Sequence, residues 1–299
     1  MTPDAVAIPA SRPRWRAYLE LTKPRVVALM VFTAVVGMLL AAPGMVPWRV
    51  MLFGSLGIAF VAGAAAALNH LVDRRIDAVM ARTRGRPLPR GLLGGGQVLA
   101  FAVVLGAAGM AMLLAFTNPL CAVLTAASLV GYAGIYSLYL KHATPYNIVI
   151  GGAAGAAPPL LGWVAVSGGV EPGAVLLFLI IFVWTPPHFW ALAIHRRDDY
   201  ARAAVPMLPV THGVPFTAAR ILHYAIALVG VTVVPFVIGM SGALYLAGAL
   251  VLGARFLWFA WRLRTDTRLA MPTFRESIAY LFGLFALLLA DHSLQIALG

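Results

Sequence analysis

NHLVDRRIDAVMARTRGRPLPRG, residues 69–91, holds two of the chain's 10 acidic residues and six of its 22 lysines and arginines. Hydrocarbon flanks it on both sides, GSLGIAFVAGAAAAL (54–68) before and LAFAVVLGAAGMAMLLAF (99–116) after. Working outward, the whole chain has this character. Of its 299 residues 62% are hydrophobic and 11% are charged, and the mean hydropathy is +0.90. A soluble chain carries roughly 25% charged residues, so the composition is that of an integral membrane protein. The stretch at 69–91 is then a loop between spans, and its charges need an explanation.

A membrane-spanning helix needs about 20 apolar residues. Nine such stretches are read from the sequence, at 25–43, 49–69, 97–117, 119–140, 147–167, 173–194, 216–239, 242–262 and 274–294. The expected fold is all-α, with nine transmembrane helices, the N-terminus cytoplasmic and the C-terminus outside. With that orientation the inner side collects Arg12, Arg14, Arg16, Lys23 and Arg25, then the six arginines of 69–91, Lys141, Arg196, Arg197, Arg202, Arg220, Arg262, Arg264, Arg268 and Arg275. The outer side collects Arg49, and Arg255 falls inside the eighth span. This asymmetry satisfies the positive-inside rule. Much of the net charge of +12 is therefore a topology signal, and nucleic acid is excluded as a partner. Residues 1–22 form a polar basic segment with no cleavable signal expected, and residues 23–299 a single membrane domain. The one cysteine, Cys121, lies in an apolar segment, so no internal disulfide is possible and it reads as a small buried hydrophobe.

Asn69, Asp73 and Asp77 are spaced i, i+4, i+8, which keeps them on one helix face. Oxygen-bearing side chains stacked this way suit a hard divalent cation such as Mg²⁺, usually held by a few carboxylates plus substrate phosphates. Arg82, Arg84, Arg86 and Arg90 follow closely, and arginine forks match phosphate oxygens. The plainer reading is a solvated helix end with locally balanced charge. A second cluster, HRRDDYAR (195–202), ends the sixth span, with Asp198 and Asp199 flanked by Arg196, Arg197 and Arg202. Upstream of it, Pro186 and Pro187 are expected to interrupt the sixth helix beside His188, because proline removes backbone hydrogen bonds. His188 reads equally well as a packing residue or as a polar group in a cavity. The fifth span, with Gly151, Gly152, Gly155, Pro158 and Pro159, reads as small-faced and kinked. It suits close helix packing, a slot for a large flat or isoprenoid substrate, or both.

Asn69-x3-Asp73-x3-Asp77, running on into Arg82, Thr83, Arg86, Pro87 and Leu88, resembles the first signature of the UbiA-type intramembrane prenyltransferases, in the wording of their haem-farnesylating branch. TPYNIVIGGAAGAAPPLLGW (144–163), TPPHFWALAIHRRDDY (185–200) and VPMLPV (205–210) are similar to further stretches of that branch. The resemblance runs from TKPR (22–25) to the last span. One departure stands out. Asp199 is followed four residues later by Ala203 and Asp198 by Arg202, so the second Asp-x3-Asp pair of most of the superfamily is missing. Its absence agrees with the haem branch and argues against a symmetrical two-metal site.

The resemblance implies a UbiA-like bundle in the bacterial inner membrane, with its active site facing the cytoplasm. It implies Mg²⁺-dependent transfer of a farnesyl group from farnesyl diphosphate to a vinyl group of haem b, giving haem O for terminal oxidase assembly. The catalytic residues would be Asn69, Asp73, Asp77 and Asp199, with Asp73, Asp77 and Asp199 as metal ligands. Arg82, Arg86, Lys141, Arg196 and Arg197 would bind diphosphate, and His188 would contact haem, as a candidate axial ligand. A haem O-oxidising enzyme is the candidate downstream partner. Three other readings are an aromatic acceptor of the 4-hydroxybenzoate type, a transporter, and a haem-handling protein without catalysis. The missing aspartate pair weighs against the first, and the surface placement of the acidic clusters against the second.

Overall fold

The computed structural model describes residues 13–298; Arg12, counted in the charge pattern above, lies outside them. Among the described residues there is no strand, and nine helices are long and apolar enough to cross a membrane. A short amphipathic helix, α1 (Arg14–Leu21), comes first. It buries Ala17 and Leu21 against Ala67, Leu93, Val98 and Ala102. The spans follow. Helix α2 is Pro24–Ala41, and α3 (Ser55–Val79) continues a π-helical turn at Val50–Gly54. Then come α4 (Gly95–Phe116) and α5 (Pro119–Leu129), which runs on as a π-helix over Val130–Leu140. After the single turn α6 (Lys141–Ala143) stand α7 (Asn147–Ser167) and α8 (Pro172–His195). Two short helices, α9 (Arg197–Arg202) and α10 (Leu208–Thr211), lead to α11 (Val214–Val237), α12 (Ala243–Arg262) and α13 (Ala270–Leu298).

The expected spans are all present; the ninth is four residues longer at each end, and the second changes most. It runs ten residues further, to Val79, so the Asn69–Asp77 face stands on continuous helix. Apolar length alone misses this, because the extension is amphipathic.

Close backbone contact sets the centre of the bundle. A methyl at Gly162 would stand 1.9 Å from the Ala34 carbonyl oxygen, and one at Gly37 2.0 Å from that of Pro159. Helices α2 and α7 therefore touch backbone to backbone, as small residues permit in membranes. Gly152 packs on Thr185 of α8, whereas a methyl at Gly155 would meet nothing within 4 Å. The fifth span is thus tightly packed on one side and open on another.

The prolines do not interrupt their helices: α7 is continuous through Pro158 and Pro159, and α8 through Pro186 and Pro187. This corrects the expectation of a break. Each proline does free a carbonyl four residues back, and at one of them the bundle supplies a partner. The Ala154 carbonyl, which Pro158 leaves free, accepts from Ser128 Oγ at 3.4 Å.

At the far end of the bundle Asp291 of α13 caps α12, accepting from the Gly242 and Tyr245 amides at 2.5 and 3.2 Å. Arg255, the charge inside the eighth span, pairs with Glu276 of α13 at 2.8 Å.

Candidate active site

The helical spacing of Asn69, Asp73 and Asp77 holds in three dimensions, and all three are buried. Asn69 Nδ2 donates to Asp73 Oδ2 at 3.0 Å and to Ser137 Oγ, on the π-helix after α5, also at 3.0 Å. Each carboxylate has a cation. Lys141 Nζ is 2.7 Å from Asp73 Oδ2, and Arg86 Nη1 is 2.7 Å from Asp77 Oδ2. Lys23 Nζ donates to Asn69 Oδ1 at 2.7 Å. Thr83 Oγ1 donates to the Asp77 carbonyl at 3.1 Å and ties the arginine loop to the helix it leaves.

One oxygen is left over: Asp73 Oδ1 is buried without a hydrogen-bond partner. A buried carboxylate oxygen with nothing to bind is costly. It is the kind of group that a hard cation satisfies.

Lys23 sits at the N-terminus of α2 with φ 50° and ψ 59°, a left-handed conformation costing about 1–2 kcal/mol for a side-chain-bearing residue. Burial pulls its ammonium down to about 7; Arg86 adds to the fall, and Asp73 and Asp77 oppose it. The amine is thereby held among the acidic and basic groups of the cluster at a local conformational cost.

The second cluster lies on α9. Asp199 is buried and pairs with Arg202 and, at 3.8 Å, with Arg196; Asp198 and Arg197 are exposed. Tyr200, buried on α9, lies in the field of both clusters. Burial pushes its phenol above the usual value, Arg82 and Arg196 act against that rise, Asp199 adds to it, and Arg86 acts against it. Charges from the 69–91 loop and from α9 therefore act on one buried hydroxyl. Among the described residues, however, no three His, Cys, Asp or Glu side chains form a ready-made metal site. The cations bring Asp73, Asp77 and Asp199 within one basic region but not into one ligand cage.

Beside the first cluster a cavity of about 490 Å³ opens between α2, α3, α5, α7, α8 and α13. Lys23 and Arg25 line one part of it. Elsewhere the wall is hydrocarbon and aromatic, with Ile58, Val61, Leu161, Tyr132, Tyr136, Trp184 and Phe274. Gly155, the glycine with open space, is on this wall. So is His188, whose ring lies between Trp184 at 4.2 Å and Phe274 at 4.5 Å, both stacked. His188 Nδ1 is 2.7 Å from Ser277 Oγ.

Sequence reading assigned no site role to Lys23, Ser137, Tyr200 or Ser277. Lys23 had a signal in TKPR, where a basic residue precedes a proline at a helix start. Ser137 had none, since the π-helix that turns it toward Asn69 leaves no pattern in the residues. Helices of this type are rare and are found frequently at functional sites.

Residues 30–288 match the model of the UbiA prenyltransferase family. A protoheme IX farnesyltransferase of Marinobacter nauticus is 62% identical over 285 residues, covering 95% of this chain and 94% of the relative. A protoheme IX farnesyltransferase 1 of Pseudomonas aeruginosa is 60% identical over 294 residues, covering 96% and 97%. Among solved structures, one concerned with digeranylgeranylglyceryl phosphate synthase in membranes superposes with a TM-score of 0.79 at 18% identity, covering 93% of this chain and 98% of that one. A UbiA homologue from Archaeoglobus fulgidus, bound to GPP and Mg²⁺, superposes with a TM-score of 0.62 at 16% identity, covering 91% and 99%. At these identities the solved structures speak for the fold alone.

Proposed function

The chain belongs to the UbiA prenyltransferase family, and on that premise we propose that it transfers a farnesyl group from farnesyl diphosphate to a vinyl group of haem b, with addition of water, giving haem O. One observation carries the assignment within the family. A single, largely apolar cavity is lined both by Lys23, the lysine bonded to Asn69 of the acidic face, and by a histidine, His188, held between two aromatic rings. The relatives at 60–62% identity, named for farnesylation of protohaem, support it. An aromatic acceptor has no such observation in its favour.

The chemistry follows from the residues. Ionising an allylic diphosphate places negative charge on the leaving group and leaves an allylic cation. Lys141 and Arg86 are held 2.7 Å from Asp73 and Asp77, and with diphosphate present they turn to its oxygens. Arg82, Arg196 and Arg197 grip it from the loop and from α9. Cations already in place at the developing charge stabilise the transition state without reorganisation. Asn69 orients the diphosphate from the helix face, steadied by Ser137 and Lys23.

Asp73 and Asp77 would hold Mg²⁺, with Asp199 of α9 as a further ligand to the metal–diphosphate; the unpartnered Asp73 Oδ1 and the all-oxygen donor set fit a hard cation. When bound, the ion would serve as a Lewis acid on the leaving oxygens.

The farnesyl tail lies along the hydrocarbon wall, which keeps water from the cation. The vinyl carbon forms a bond to farnesyl C1 as the C1–O bond breaks, and its electrons leave with diphosphate. Water then adds to the cation left beside the porphyrin, and its proton is lost to diphosphate or solvent. His188 holds the haem by its iron, as an imidazole nitrogen does in many haem proteins. On this reading the basic end of the bundle faces the cytoplasm of a bacterial inner membrane, and an enzyme that oxidises haem O further is the candidate recipient of product.

The test uses purified protein in detergent with haem b, farnesyl diphosphate and Mg²⁺. Transfer to haem that a chelator stops and added Mg²⁺ restores is the expected result. Transfer indifferent to chelation would remove the metal from Asp73 and Asp77. Farnesyl appearing on a phenol and never on haem would overturn the acceptor.

A further inference from the structure

The hydrogen bonds around His188 decide which of its nitrogens faces the cavity, and the residue that decides it is on another helix. Ser277 of α13 donates its hydroxyl proton to the Phe274 carbonyl one turn back, at 2.7 Å. A serine hydroxyl has one proton to give. Toward His188 Nδ1, also at 2.7 Å, Ser277 Oγ can therefore only accept. In a neutral ring this fixes the proton on Nδ1 and leaves the lone pair on Nε2. Nε2 makes no hydrogen bond among the described residues and is not among the buried, unpartnered atoms. Since His188 lines the cavity, its free nitrogen is available to whatever enters there.

The ring is held at both faces and at Nδ1. Trp184 and Phe274 clamp the two ring faces with interplanar angles of 20° and 27°. Trp184 Nε1 donates to the Ser277 backbone carbonyl at 2.7 Å. The same residue thus fixes the indole under the imidazole through its backbone and the tautomer through its hydroxyl. A buried histidine needed for packing alone has no use for a fixed lone pair aimed at a void.

We infer that Ser277 is a positioning residue for the haem-binding step: it holds His188 as the Nδ1–H tautomer with Nε2 presented to the haem iron. This rests on the reading of His188 given above. A hydrogen bond at the far nitrogen orients a ligating imidazole and raises its basicity, and losing one typically costs about 10–100-fold in metal affinity or activity.

The experiment compares wild type, Ser277→Ala, Ser277→Thr and His188→Ala in detergent. Haem affinity comes from optical titration. Iron ligation comes from the electron paramagnetic resonance of the ferrous nitrosyl adduct, where a nitrogen trans to nitric oxide splits the signal. Wild type and Ser277→Thr should show the trans-nitrogen splitting. Ser277→Ala should bind haem about 10–100-fold more weakly and lose the splitting wholly or in part, as the iron–histidine bond weakens. His188→Ala should lose it completely. Packing damage alone would not be rescued by threonine with the splitting restored. Should Ser277→Ala not fold, Ser277→Cys, a poor acceptor of similar shape, takes its place with the same expectation. If His188→Ala abolishes the splitting and Ser277→Ala leaves it intact, the role of Ser277 is overturned and that of His188 stands. If His188→Ala keeps the wild-type splitting, His188 is not the iron ligand and both fall.

Discussion

Replacing Lys141 by methionine tests whether the cations at the acidic face serve catalysis or only the fold. Lys141 Nζ lies 2.7 Å from Asp73 Oδ2, with side-chain exposures of 14% and 5%. Without it Asp73 keeps Asn69 Nδ2 at 3.0 Å and nothing on Oδ1. Breaking a buried pair from one side costs about 3–5 kcal/mol. Water can reach the partly exposed lysine, so the loss belongs near the low end, about 3 kcal/mol. Asp73→Asn strands Lys141 in the same way and should cost a similar amount. The double variant strands neither charge, and coupling should return about 1–3 kcal/mol of the summed loss. Activity should not return with it. A cation aimed at the leaving diphosphate is worth about 10²–10³ in rate, and the double variant lacks both that cation and the carboxylate. The assays are thermal midpoints in detergent at one fixed scan rate and single-turnover farnesyl transfer to haem. A double variant that regains both its midpoint and more than about a tenth of the wild-type rate, well above the loss expected for one such contact, would refute the reasoning, because the pair would then be structural.

Asp199→Asn should leave the midpoint nearly unchanged, since Arg202 and Arg196 are both partly exposed; it should weaken farnesyl diphosphate binding about tenfold at limiting Mg²⁺, read by calorimetry, as expected for one charge-assisted contact. Gly155→Leu places a side chain in the cavity where a methyl meets nothing within 4 Å. It should fold normally and lower haem farnesylation about 10–100-fold while diphosphate binding persists. Gly162→Ala forces a methyl to 1.9 Å from the Ala34 carbonyl oxygen; its cost should be about 1–3 kcal/mol, visible as a lower midpoint. Asp291→Ala removes the cap of α12, costs about 1–2 kcal/mol, and should leave the rate per folded molecule unchanged.

Much of this molecule can be read from its residues, and the reasons are physical. Lipid requires long apolar runs, so all nine spans announce themselves, most within two or three residues of their observed ends. The i, i+4, i+8 spacing of Asn69, Asp73 and Asp77 is local, so a helix suffices to align it. What stayed hidden was made by elements far apart. Lys23 reaches Asn69 across 46 residues and Ser137 does so across 68. Ser277 meets His188 across 89, and nothing in either neighbourhood points to the other. Pro186 and Pro187 misled in a different way. The missing hydrogen bonds predict a break, yet α8, packed between α7, α11 and α13, stays helical through both prolines. Asp198 and Asp199 look equivalent in sequence, and the turn of α9 exposes the first and buries the second.

The central claim is that the Asn69–Asp77 face drives farnesyl transfer to haem. Purified wild-type protein and Asp73→Ala are each mixed with haem b, farnesyl diphosphate and Mg²⁺, and the products are read by mass spectrometry for a haem that has gained one farnesyl group and one hydroxyl group. The account predicts that product from wild type and a loss of at least about 10²-fold from Asp73→Ala. Equal product from both would contradict the role of the face, and no farnesylated haem from either would return the chain to haem handling without catalysis.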